Sequence, residues 1–238
     1  MWKLDGGMGS ILMTHGTRNC SLMSLTHPAA VLDVHMSYVS AGSNVLFTNT
    51  FQANYVSQRK FGMNEADTVR RMNMESVNIA RMAGVMVAGS VGPIMDPPCE
   101  EHAAAYAAQF DALSNADMIF LETFMDMKSA CVALYALPHV VDVYVLFSNE
   151  SCLGEITDAF AARVKGVGVN CGCPSSIVAA QIAALTSLRV RFPHLSFFYK
   201  PSRDQPAMTP LRLRKIARAL RLEGVRYCCG STPEDVSM

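Results

Sequence analysis

A chain of 238 residues has room for one large α/β domain or two small ones. Half of the residues are hydrophobic and 17% are charged, which supplies a core and excludes a disordered chain. Twenty basic and twenty acidic residues cancel, so no net field draws the protein to nucleic acid or anionic lipid. No apolar run approaches the roughly 18 residues that span a bilayer, and the opening "MWKLDGGMG" lacks a secretory pattern. Eight cysteines in a chain of this length do not form a small disulfide scaffold; they point to a reduced, cytoplasmic setting in which clustered thiols hold metal or do chemistry.

In chain order, short β-rich runs alternate with longer helical patterns. The strands are expected at "WKLDGG", "NVLFTNTF", "GVMVAGSVGP", "DMIFLETF", "VDVYVLFS", "GVGVNCG", "LSFFYKP" and "GVRYCC". Most are continuous apolar runs, as expected of parallel strands covered on both faces. Helical patterns fill the gaps, from "AAVLDVHMSYVSAG" to "PLRLRKIARALRLEG", and Gly42, Gly84, Gly166 and Gly224 each close one before the next strand. The basic stretch Arg212–Arg221 carries Leu213, Ile216, Ala217 and Leu220 at helical spacing, so it reads as an amphipathic helix with a solvated cationic face. The sixteen methionines fall among other apolar residues and read as core filling.

Eight β/α alternations without a linker or low-complexity tract predict one compact (β/α)₈ TIM barrel over residues 1–238. An open doubly wound sheet is the alternative. Little sequence follows the last strand, so the final helix is expected to be truncated or missing, or the natural chain to continue past residue 238.

Chemistry in such barrels collects at the C-terminal ends of the strands. The residues expected there are Asp5, Asn49 and Thr50, Ser90, Glu122 and Thr123, Ser148 and Asn149, Asn170 and Cys171, Lys200, and Cys228 with Cys229. Adjacent side chains on a strand point to opposite faces, but Gly230 lets the chain bend, which can converge Cys228 and Cys229. The sixth and eighth strands are two positions apart around a closed barrel, so Cys171 can meet that pair. Three thiols make a cage for Zn²⁺, at about 2.3 Å per Zn–S bond, with a fourth position open. Cys173 is a weaker fourth ligand. Buried structural cysteine, or a redox or vicinal disulfide pair, is the competing reading. Cys20, Cys99, Cys131 and Cys152 show no such arrangement, and the six histidines have no paired spacing.

The ordered set "LDGGMGSIL", "FTNTFQAN", "AGSVGP", "IFLETF", "GVNCGCP" and "CCGSTPED" resembles the homocysteine S-methyltransferase family, from Asp5 to Asp235. The resemblance implies a zinc-dependent barrel that methylates the thiol of homocysteine in methionine biosynthesis. It implies Cys171, Cys228 and Cys229 as ligands of one Zn²⁺, and Asp5 and Glu122 as acidic residues near the substrate ammonium. Gly6 and Gly7, or Ser90 and its neighbour Val91, are then expected to offer backbone N–H groups to the substrate carboxylate, with Asn170 beside the ligand or the substrate. The donor stays open among S-methylmethionine, S-adenosylmethionine, betaine and a methylated corrinoid. No corrinoid-binding motif is present, so a corrinoid would be carried by another chain or domain. The chain departs from the family's usual pattern at "KPSRDQP" after the seventh strand, where Arg203 and Asp204 bring charge to a rim that is commonly small and neutral. A non-catalytic relative that binds zinc and an amino-acid thiol is the other reading.

Overall fold

The computed structural model describes residues 2–97, 99–138, 141–171, 178–203, 208–228 and 231–237. Seven parallel strands run in sequence order around one curled sheet: β1 (Val45–Phe47), β2 (Met86–Val91), β3 (Met118–Phe124), β4 (Val143–Phe147), β5 (Gly166–Cys171), β6 (Ser196–Pro201) and β7 (Gly224–Val225). The first expected strand is present only as a bridging stave. Trp2 pairs with Gly224 of β7 and Leu4 with Val45 of β1, both parallel. Trp2 N–H donates to the Glu223 carbonyl at 2.6 Å, and Asp5 N–H to the Val45 carbonyl at 3.0 Å. This stave closes the ring, and the architecture is that of a compact TIM barrel. After β7 the described residues end in a 3₁₀ turn, Pro233–Ser237.

Helices cross between consecutive strands at the expected places: Ala66–Arg81, Glu100–Ala112, Met127–Ala136, Val178–Arg191 and Pro210–Ala219. Local chemistry sets several of their starts. The Asp126 carboxylate accepts from Ser129 N–H at 2.8 Å, and Thr209, followed by Pro210, caps the Pro210–Ala219 helix. The pattern "EITDAFAARVKG" forms only the turn Asp158–Ala161, capped by Thr157, with another short turn at Ser151–Gly154. In Pro210–Ala219 the buried residues are Leu213, Ile216 and Ala217, as the amphipathic pattern requires. No helix among the described residues is long and apolar enough to cross a membrane.

Side-chain alternation separates two apolar layers. Val87, Ile119, Leu121, Val143, Val145, Phe197 and Tyr199 face the helices in one large cluster. Their neighbours Ala88, Phe120, Tyr144, Leu146 and Phe198 face inward with Leu4, Val45 and Phe47. Aromatic rings fill this interior: Phe120 stacks on Tyr144 at 4.7 Å, and Phe198 meets Phe120 edge-on at 5.3 Å. Gly168 leaves room for that packing, since a Cβ there would lie 2.3 Å from the Phe198 carbonyl oxygen. Gly168→Ala therefore forces backbone to move in a filled core and should destabilise the fold by about 1–3 kcal/mol in urea denaturation. An unchanged midpoint would contradict this interior packing.

Candidate active site

The inner positions continue past the aromatic layer. Two residues beyond Ala88, Phe120, Gly168 and Phe198, at the same face of each strand, stand Ser90, Glu122, Asn170 and Lys200. These four, with Gly6, Gly7, Cys171 and Cys228, line one cavity of about 460 Å³ at the C-terminal ends of the strands. Four of the residues that line its outer wall, Arg18, Asn19, Cys20 and Ser21, come from the segment before the Pro28–Ser40 helix.

At the floor, Lys200 Nζ lies 2.6 Å from Glu122 Oε2, and the side chains are only 5% and 10% exposed. Ser90 Oγ donates to Glu122 Oε1 at 2.7 Å. The Lys200 ammonium also sits 3.8 Å from the centre of the Phe47 ring. Burial pulls the Lys200 pKa down, but the Glu122 carboxylate, with Asp5 and Cys228, reverses that and leaves it above the usual lysine value. Lys200 is therefore a cation at neutral pH, in contact with the Glu122 carboxyl.

Asp5 has no exposed surface. Its Oδ2 accepts from Phe47 N–H at 2.9 Å, while Oδ1 has no hydrogen-bond partner among the described residues. Burial raises its pKa to about 7, against the opposing pull of Lys200 and the Phe47 N–H.

Asn170 does more than stand beside Cys171. Its Oδ1 accepts from Thr123 N–H at 2.9 Å, and its Nδ2 donates to Thr123 Oγ1 at 2.7 Å. The Thr123 backbone is left-handed, with φ at 65°, and so is Cys171, with φ at 57°. For a β-branched residue that conformation is an outlier that its surroundings must hold. Strict alternation would turn Thr123 and Cys171 out of the barrel. The left-handed twist brings both to the cavity instead, next to Glu122 and Asn170.

Cys228 follows β7, and its Sγ lies 3.2 Å from Cys171 Sγ. That is well beyond a disulfide bond of about 2.05 Å. Two sulfurs each about 2.3 Å from one tetrahedral ion would be about 3.8 Å apart, so a small shift opens the pair around a metal. Cys229, the third expected ligand, Gly230 next to it and Cys173 lie outside the described residues. Among the described residues, no group of three His, Cys, Asp or Glu side chains is placed to hold a metal ion. The two described thiols fit Zn²⁺ by donor type and by location.

The glycines have a steric task. A Cβ on Gly6 would lie 2.1 Å from Ser231 Oγ, and one on Gly7 would lie 2.8 Å from the Cys228 carbonyl oxygen. Gly7 N–H already donates to Ser231 Oγ at 2.8 Å, and Ser90 N–H to Thr48 Oγ1 at 3.0 Å. Those two backbone donors are thus engaged within the protein. Ser231 Oγ in turn donates to the Cys228 carbonyl at 2.8 Å, which ties the first turn to the thiol-bearing turn. The sequence flagged Lys200 at a strand end but gave it no role, and it gave no site role to Phe47 or Ser231. The two-residue step from Phe198 was the available signal for Lys200.

The family model described as homocysteine S-methyltransferase matches residues 3–238. The chain belongs to this family. The Escherichia coli homocysteine methyltransferase MmuM, in its metallated form, superposes with a TM-score of 0.80 at 22% identity, covering 98% of this chain and 93% of that one. Its oxidised form gives 0.77 at 23% identity, with the same coverage. Dihydrodipicolinate synthase from Oceanobacillus iheyensis gives 0.52 at 10% identity, covering 85% of this chain and 61% of that one. These likenesses establish the barrel fold, and the family match establishes a methyltransferase family.

Two measurements check the electrostatics. Because Asp5 binds its proton more tightly folded than unfolded, stability should fall as pH rises from about 4 to about 7. Asp5→Asn should remove that slope in urea denaturation across the window; a slope that persists in the variant would assign it elsewhere. Glu122→Ala, which strands the buried Lys200 ammonium, should cost about 3–5 kcal/mol. The double variant Glu122→Gln/Lys200→Met should recover most of it, and equal losses in both would contradict a formed ion pair.

Proposed function

We propose that this protein transfers a methyl group to the thiol of homocysteine, giving methionine, with one Zn²⁺ per chain, and that residues 1–238 act as one catalytic domain. The observation that carries this reading is the approach of Cys171 and Cys228, from separate staves, at a cavity also lined by Glu122, Asn170 and Ser90. Cys171, Cys228 and Cys229 would hold the metal. Zn²⁺ bound there supplies the charge that keeps a thiol ionised at neutral pH, where a free thiol of pKa about 8.5 is mostly protonated.

The chain's own residues prepare the rest. The left-handed Cys171, held beside the Asn170–Thr123 pairing, presents its sulfur to the cavity rather than to the helices. The Glu122 and Lys200 charges cancel at the floor, so the anionic acceptor sulfur is not repelled by an uncompensated carboxylate. The cavity confines acceptor and donor so that sulfur, methyl carbon and leaving atom can align. The acceptor sulfur forms its bond to the methyl carbon as the bond from that carbon to the donor's sulfonium or cobalt breaks. The thiol proton is released to solvent, and no covalent enzyme intermediate is needed.

The donor is a sulfonium, S-methylmethionine or S-adenosylmethionine, or a methylated corrinoid protein that docks at the mouth. Exposed Met13 lines that mouth, an apolar contact suited to either. A reduced cytoplasmic setting suits Cys20, Cys99, Cys131 and Cys152, which form no disulfide among the described residues.

Reduced, zinc-supplemented protein should form methionine from homocysteine with at least one donor of the panel. Cys171→Ser and Cys228→Ser should each lower that rate by more than the about 10–100-fold that loss of an outer-sphere partner causes. Folded serine variants that keep full activity, or turnover with no donor, would overturn the reading.

A further inference from the structure

An alkylammonium is recognised by a carboxylate in hydrogen-bond reach, a second anion nearby and an aromatic face. Glu122 and Phe47 line the cavity and supply the carboxylate and the ring, while the second carboxyl, Asp5, is fully buried and accepts from the Phe47 N–H. The ammonium they surround belongs to the protein. Lys200 Nζ is 2.6 Å from Glu122 Oε2 and 3.8 Å from the Phe47 ring centre, and it lies within the field of Asp5. A substrate ammonium arriving at Glu122 would meet this cation, or would have to expel a side chain that is only 5% exposed.

We propose that Lys200 fills the ammonium subsite of the acceptor pocket, so that this protein accepts thiol carboxylates that carry no α-amino group at least as well as homocysteine. The inference rests on the thiol-methylation reading above and names a further substrate class for the same site. A carboxylate is the group the cavity can still receive. Among the described residues Lys200 spends one of its three N–H donors, on Glu122, and a second cation, Arg18, lines the same cavity. Glu122 already accepts from Ser90 and Lys200. An acceptor with a thiol at one end and a carboxylate at the other satisfies the remaining donors without adding a cation. The transfer step is unchanged: the acceptor sulfur gains the methyl carbon, the donor's bond to it breaks, and the thiol proton leaves to solvent.

The test compares homocysteine with its des-amino analogue, 4-sulfanylbutanoate, by kcat/KM with one donor and by calorimetric binding to the reduced, zinc-supplemented protein. Wild type should handle the two thiols within about threefold, or favour the des-amino acid. Lys200→Met, and Lys200→Gln, which keeps a hydrogen-bond donor to Glu122 if the methionine variant does not fold, should each shift the ratio toward homocysteine by about tenfold or more. A wild-type preference for homocysteine of tenfold or more, or a ratio unmoved in the folded variants, would overturn the assignment of Lys200. If neither thiol is methylated with any donor, it is the methyltransfer reading that fails. Calorimetry then decides this inference alone: des-amino binding no weaker than homocysteine supports it, and homocysteine binding tenfold tighter overturns it.

Discussion

The site depends on closure of the sheet by three residues. Trp2–Leu4 make few ladder bonds, yet among the described residues they are what joins β7 to β1 in the sheet. Closure fixes the first turn against the last, and the contact is too tight for any side chain at Gly6 or Gly7. Ser231 then bridges both turns, accepting from Gly7 N–H and donating to the Cys228 carbonyl. The position of Cys228 opposite Cys171 follows from that clamp as much as from the short β7 strand.

Within the closed ring, alternation supplies a polar floor above an aromatic plug. Phe120 and Phe198 point inward, so Glu122 and Lys200 do too, and their charges meet where water is scarce. Each charge alone would be expensive to bury; together, with Ser90 and the Phe47 ring, they are compensated. Alternation also sets a limit, because one residue in two is turned away from the cavity. Left-handed backbone at Thr123 and Cys171 overcomes it, and the Asn170 amide grips the Thr123 backbone and hydroxyl across the sheet. The strain lies where the chemistry is proposed to occur.

The barrel was legible because its strands are continuous apolar runs punctuated by glycine, a pattern that depends only on local sequence. Glu122 was legible for a related reason: a carboxylate inside "MIFLETF" must be inside the protein and must find a partner. What the partner would be was not legible. Lys200 is 78 residues away, and only the strand order brings β6 opposite β3. The first strand reads as a full strand in sequence but is reduced to two bridges, because glycines at positions 6 and 7 turn the chain into the clamp. The left-handed thiol at Cys171 could not be foreseen either. Cysteine has no preference for that conformation, and its cause is tertiary.

The central claim is that Cys171, Cys228 and Cys229 form one thiolate site able to take a substrate sulfur. Zinc K-edge X-ray absorption on reduced, metal-loaded protein tests it most directly, before and after addition of a thiol acceptor. The expected result is one Zn²⁺ with three sulfur neighbours at about 2.3 Å, rising to four when the acceptor is present. Sub-stoichiometric zinc, or a first shell dominated by nitrogen and oxygen that ignores the added thiol, would contradict it.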